Sequence, residues 1–293
     1  MIINKVSLIK YQGVMEINGL LWEDRLATPL DIYKQYANSL DATSDFVQSK
    51  NGKLNLEQIF LKIETEDKSI GLAGPMNENI AFIIEKQLKS ILIGKDAFAT
   101  ELIWDQMHRK LVHGRQGDPI WAISFIDCAL WDLKGKFLRL PVYKLLGGAT
   151  VSKIPAYASM LGYNVLDMTL VKKRALEYKS KGFTAQKWFF RYGPAKGVDG
   201  LKKNIELVKT LRETLGDEYD LMFDCWQSMD VPYVLSLAEA IKKYNPKWLE
   251  ECVMPDRIDS YVRIKNKINI PLAGAEHHYT RWGINQFIEK GAL

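Results

Sequence analysis

Cysteine is scarce in this chain, with three in 293 residues, and Cys128, Cys225 and Cys252 show no CxxC spacing. That excludes a disulfide framework and a cysteine zinc site, and it suits free thiols in a reducing cytoplasm. No apolar run approaches the ~18 residues of a membrane span. Residues 1–14 mix polar and charged side chains where a secretory signal would need an apolar centre. Charge of one sign is also lacking: the net charge is +5, with Lys and Arg scattered and no basic arm of the kind nucleic acid requires. The short basic clusters at 171–174 and 201–203 sit in helical patterns and read as solvated faces. A soluble, cytoplasmic globular protein is the expectation, and 47% hydrophobic residues suffice for a full core in about two domains.

Positive signals begin with "QIFLKIETEDKSIGLAG" (58–74), which alternates and turns at Glu66–Lys68 as an antiparallel hairpin would. "NIAFIIEKQLKSIL" (79–92) has helical spacing. "GDPIWAISFIDCALWDLKGK" (117–136) is the clearest helix, with Asp118 as cap, Pro119 in its first turn, and Ile123, Ile126, Leu130 and Leu133 on one face. Pro141 and Gly147–Gly148 then punctuate the chain, which places a domain boundary between an N-terminal α+β domain, 1–148, and a second domain, 149–293. Beyond it the pattern becomes strand–helix, five times over. The strands fall at 154–160, 184–190, 219–225, 247–252 and 268–276. Short apolar strands alternating with helices predict a parallel sheet, as a β/α barrel or a doubly wound fold.

Asp224, Glu250 and Glu276 each stand at the end of one of these strands, and the interval between them is the same, one β/α unit. In a barrel the C-terminal ends of consecutive strands lie side by side, where functional groups gather. Three converging carboxylates repel one another unless a cation holds them, and hard oxygen donors favour Mg²⁺. Glu251 competes with Glu250 for the middle place, and alternation points the two in opposite directions. Lys187, in the second strand of this domain, is a candidate cation for a bound carboxylate, or a base if desolvated. Arg191 and Tyr192 follow as loop residues at the site mouth. Of His277 and His278, one is expected to meet a substrate oxygen and the other to pack; His108 and His113 read as structural.

"AISFIDCALWDLKGKFLRLPVYKLLGG" resembles the helix and entry segment of the enolase superfamily, mandelate racemase branch. "ATPLDIYKQY", "LMFDCWQSMDVPY", "KWLEECVMPD" and "GAEHH" resemble its L-rhamnonate dehydratase subgroup. The resemblance implies an α+β capping domain followed by a (β/α)₇β TIM-like barrel. It also implies one Mg²⁺ on Asp224, Glu250 and Glu276, and so selects Glu250 over Glu251. The implied reaction is dehydration of a sugar acid: a base takes the C2 proton, the 3-hydroxyl leaves, and a 2-keto-3-deoxy acid results. Arg25, Lys187, Arg191 and His277 are the expected substrate ligands. Arg25 stands near where family members carry a lid histidine, and Phe189 replaces the second lysine of the usual pair.

The resemblance places a His/Asp catalytic dyad on the sixth and seventh barrel strands, whereas the chain stops soon after Glu276. The expectation is an N-terminal portion of such an enzyme, with about five β/α units, inactive alone. It would act as a homo-oligomer or be completed by a separately encoded segment. Two other readings remain. One is a superfamily dehydratase or racemase for fuconate, arabinonate or galactarate that uses Lys187 as its base. The other is an inert subunit that keeps Mg²⁺ and ligand affinity.

Overall fold

The computed structural model describes residues 1–18, 22–36 and 52–293. Two compact units divide the chain: Met1–Glu16 with Lys53–Ile154, and Ile17–Gly52 with Pro155–Leu293.

In the first unit, strands β1 (Ile3–Glu16), β2 (Lys53–Thr65) and β3 (Ile70–Met76) form an antiparallel sheet in that order. The β2–β3 hairpin turns through Lys68, whose φ of 67° is left-handed. Helices α1 (Glu78–Ile83) and α2 (Lys89–Leu92) run on from each other through one π-helical turn, Ile84–Leu88. After them come α3 (Thr100–Lys110), α4 (Asp118–Leu138) and α5 (Val142–Leu145). Ile123, Ile126, Leu130 and Leu133 are all buried on α4, the face their spacing predicts. The helix comes very close to the sheet at Gly71, where a Cβ would lie 2.0 Å from the Ala129 carbonyl oxygen. Its cap differs from expectation. Gly117 holds that place at φ 63°, and Asp118 is the first helical residue, with no side-chain capping bond. A left-handed cap suits glycine, and an acid in the first turn still complements the helix dipole.

The second unit alternates β4 (Ala158–Ser159), α6 (Met168–Ser180), β5 (Ala185–Phe189), α7 (Gly197–Leu215), β6 (Asp220–Asp224), α8 (Val231–Ile241), β7 (Trp248–Glu250), α9 (Ile258–Lys265), β8 (Leu272–Ala273) and α10 (Thr280–Lys290). The sheet is parallel throughout, in the order β4-β5-β6-β7-β8. Successive helices pack against one another from α6 through α10. This is part of a (β/α) barrel wall, with β4 and β8 at its open edges.

Local signals explain the elements. Asp167 caps α6 by accepting from Thr169 and Leu170 N–H, and Asp230 caps α8 by accepting from Tyr233 N–H. Gly216 ends α7 at φ 90°. Trp188, Leu221, Phe223 and Leu249 share one face of the sheet and are buried with Val208, Leu211 and Val234 of the helices, while Lys187, Asp224 and Glu250 alternate to the other face.

A boundary after Gly148 assigns residues 22–36 to the first domain, but they pack with the second unit. The backbone explains it: Glu23 and Asp24 N–H donate to the Gly162 carbonyl, and Ala27 N–H donates to that of Phe190. No helix among the described residues is long and apolar enough to cross a membrane.

Candidate functional site

Register places the first two acids. Asp224 pairs with Glu250 across β6 and β7, at the C-terminal end of each strand. The same edge carries four of the unit's left-handed residues. Trp226 (φ 37°), Gln227 (φ 63°), Glu251 (φ 43°) and Ala275 (φ 79°) are left-handed residues other than glycine, each one to three positions from an acid. Such conformations cost free energy and persist where surrounding structure imposes them, commonly at functional sites.

Lys187 Nζ lies 3.0 Å from Asp224 Oδ2 and 2.7 Å from Glu250 Oε1, so one ammonium holds both carboxylates. The three side chains are only 11–13% exposed. Lys187 therefore does not extend to solvent, as an ordinary strand-end lysine would. Burial alone would lower its pKa, but Asp224 and Glu250 raise it well above the usual lysine value. Glu250 accepts a further bond from Trp248 Nε1 at 2.9 Å, and Asp224 one from the Trp226 N–H at 2.9 Å. Burial pushes the Asp224 carboxyl up; Lys187 opposes this and the Glu250 charge adds to it.

Glu251 turns elsewhere, as alternation requires. It is 1% exposed, and its two oxygens lie 2.9 and 2.8 Å from His277 Nδ1. An ionised carboxylate only accepts, so Nδ1 carries the hydrogen and Nε2 remains for another partner. Gln227 Nε2 donates to Glu251 at 3.2 Å and lies 2.7 Å from the same ring nitrogen. Glu276 Oε1 is 3.8 Å from His277 Nδ1. Burial raises the Glu276 pKa, with the Glu251 and Asp224 charges adding to it.

The three acids of equal spacing thus fall into two neighbouring groups. Asp224 and Glu250 share Lys187, while Glu276 stands with Glu251 and His277. The ligand atoms of Glu251, Glu276 and His277 lie within 4.8 Å of one another, the grouping among the described residues that could hold an ion as it stands. Four acids facing one lysine and one histidine leave a surplus of negative charge. That donor set fits a divalent cation with oxygen ligands.

Arg25 is a correction. Its guanidinium is 1% exposed and committed to Asp31 at 2.8 and 3.1 Å and to the Leu26 and Tyr36 carbonyls, so it braces the segment and presents nothing to a substrate. A buried guanidinium needs all its donors paired, which outweighs its place near the family's lid histidine. Arg191 is buried too, with Nε donating to Asp24 Oδ1 at 3.1 Å. Tyr192 is in the core, where its carbonyl accepts from Asn204 and Tyr233. His278 is the packing histidine, accepted by the Pro255 carbonyl and set against the Phe287 ring. Asp24, Trp226 and Gln227 lie in loops and Trp248 opens β7, so no strand-end acid or charge pattern singles them out together.

Known proteins bear on this arrangement. The Enolase C-terminal domain-like family matches residues 170–293, and the mandelate racemase / muconate lactonizing enzyme N-terminal domain matches 55–147. An L-rhamnonate dehydratase of Saccharopolyspora erythraea is 35% identical over 273 residues, covering 92% of this chain and 65% of that protein. A crystal structure of L-rhamnonate dehydratase from Gibberella zeae superposes with TM-score 0.82 at 31% identity, over 99% of this chain and 68% of the other. The rhamnonate dehydratase of the same organism complexed with Mg gives 0.80 at 28%, over 99% and 70%. The chain therefore spans 65–70% of the length of these relatives. Its two matched domains, its capping sheet and its parallel barrel wall make it a member of the enolase superfamily, in the mandelate racemase / muconate lactonizing enzyme branch.

Proposed function

We propose that the chain provides the metal-binding part of a Mg²⁺-dependent sugar-acid dehydratase of the L-rhamnonate type. The observation that carries this is the in-register pair Asp224 and Glu250, already gathered around a single positive charge at the strand ends. Asp224, Glu250 and Glu276 would hold the ion. Bound there, Mg²⁺ would supply positive charge beside the substrate carboxylate, where negative charge grows as the C2 proton leaves.

This chain's residues have separate tasks. Lys187 neutralises the carboxylates and offers its ammonium to an anionic substrate. An ammonium bonded to two carboxylates is a poor base, which counts against the Lys187-dependent racemase or dehydratase reading. His277, oriented through Nδ1 by Glu251, presents Nε2 to a substrate oxygen. Residues 1–293 are then expected to bind a sugar acid with Mg²⁺. Assembly as a homo-oligomer is part of the same proposal.

Calorimetry with the purified chain, Mg²⁺ and L-rhamnonate tests it, alongside an assay for 2-keto-3-deoxy acid. Mg²⁺-dependent binding is the expected result. Binding indifferent to Mg²⁺, or to replacement of Asp224, would overturn the proposal.

A further inference from the structure

Among the buried polar atoms of the second unit without a hydrogen-bond partner, two belong to one ion pair. Arg191 Nε donates to Asp24 Oδ1 at 3.1 Å, with the side chains 9% and 10% exposed. Arg191 Nη1 and Asp24 Oδ2 are shielded from water and unbonded. Buried polar groups are nearly always satisfied, so a donor and an acceptor left open side by side call for a partner from outside.

The location is specific. Arg191 follows Phe190, whose N–H donates to the Asp224 carbonyl at 3.1 Å and whose carbonyl accepts from Ala27 N–H at 2.8 Å. Asp24 is held over the end of β4, its N–H donating to Gly162 O at 3.2 Å. The ion pair therefore sits across the C-terminal ends of β4 and β5, and the adjoining strand end is that of Asp224. The loop bearing Arg191 is pinned. A Cβ on Gly193 would lie 2.6 Å from the Ser228 carbonyl oxygen, and the guanidinium rests 5.4 Å from the Tyr192 ring centre.

The open valences select a chemistry. An anion at this pair would meet Asp24, and a cation would meet Arg191. An alcohol suits both, since its oxygen accepts from Nη1–H while its O–H donates to Oδ2. Nε and Oδ1 join the two groups directly, so one hydroxyl, or two adjacent ones on the same carbon chain, would satisfy both open atoms once admitted to the pair. We propose that the Arg191–Asp24 pair reads chain hydroxyls of a polyhydroxy acid whose carboxylate end lies at the Asp224–Glu250 site. Asp24 thereby joins Arg191 as a specificity residue. This rests on the metal-site reading above.

The test compares two acids on the Mg²⁺-loaded chain by calorimetry: L-rhamnonate, which carries chain hydroxyls, and glycolate, which shares only the 2-hydroxy acid head. The double variant Asp24→Leu/Arg191→Met removes both charges together, an exchange that buried pairs often tolerate. L-Rhamnonate binding should weaken roughly ten- to hundredfold, as loss of charge-assisted hydrogen bonds gives, with glycolate unchanged. Equal weakening of both acids would mean a structural role and overturn the inference, as would an unchanged preference. Failure of the wild-type chain to bind either acid with Mg²⁺ would instead bring down the metal-site reading, and the inference with it. Should the double variant not fold, Arg191→Lys keeps the charge and removes Nη1; it must show the same selective loss.

Discussion

Replacing Lys187 by Met strips the ammonium from between Asp224 and Glu250. Both contacts are short, 3.0 and 2.7 Å, and the side chains involved are nearly nine-tenths shielded. Breaking a buried ion pair by deleting one partner costs about 3–5 kcal/mol, because the surviving charge loses its compensation. For a chain of this size that corresponds to a fall in thermal midpoint of roughly 6–20 °C. Protonation of Asp224 limits the damage. Its carboxyl already lies above the ordinary range through burial, so the variant's deficit should shrink as pH falls through that range. Mg²⁺ should then rescue the variant more than it stabilises the wild type, since no ammonium has to be displaced. Its affinity should tighten by at least about tenfold, or about 1.4 kcal/mol. Thermal unfolding at several Mg²⁺ concentrations, at pH 5 and pH 8, reads all of this. A variant as stable as wild type without metal, or one with unchanged Mg²⁺ affinity, would refute the reasoning.

Other consequences follow from the same geometry. Folding raises the pKa of Asp224, so that group favours the folded state below its unfolded value near 3.8 and ceases to do so as pH rises through the folded value. Metal-free Asp224→Asn should therefore gain stability relative to wild type as pH rises from about 4, read by urea unfolding, and a flat difference would contradict it. Asp230→Ala removes the cap that accepts from Tyr233 N–H and should cost about 1 kcal/mol in the same assay. Gly71→Ala forces a Cβ into the Ala129 carbonyl and should destabilise the first unit by about 1–3 kcal/mol or more, visible as faster amide exchange in β3 and α4.

Much of the second unit was legible in the sequence because each of its strands is a short apolar run between turn signals, and burial on both faces demands that pattern. The hairpin and α4 were legible for similar reasons of period. Strand β1 was not: only Ile3 and Val6 of its fourteen positions are buried, so no apolar run marks it. Pairing with β2 makes it a strand. The candidate site divides along the same line. Asp224 and Glu250 stood out through their interval, and register delivers them to one edge. Alternation foretold that Glu251 turns away from Glu250, but the place of Glu276 follows left-handed backbone at Ala275, which the interval does not encode. Arg25 misled because a guanidinium near a lid position reads as a substrate ligand, whereas Asp31, six residues on, satisfies it internally.

On the proposed reading, Asp224, Glu250 and Glu276 hold one divalent ion. Titration of the chain with Mn²⁺, followed by electron paramagnetic resonance, tests it most directly across Asp224→Asn, Glu250→Gln, Glu276→Gln and Glu251→Gln. One tight site per chain is expected, abolished by the first three replacements and retained in Glu251→Gln. Loss of the site in Glu251→Gln with retention in Asp224→Asn would contradict it, and would place the ion among Glu251, Glu276 and His277 instead.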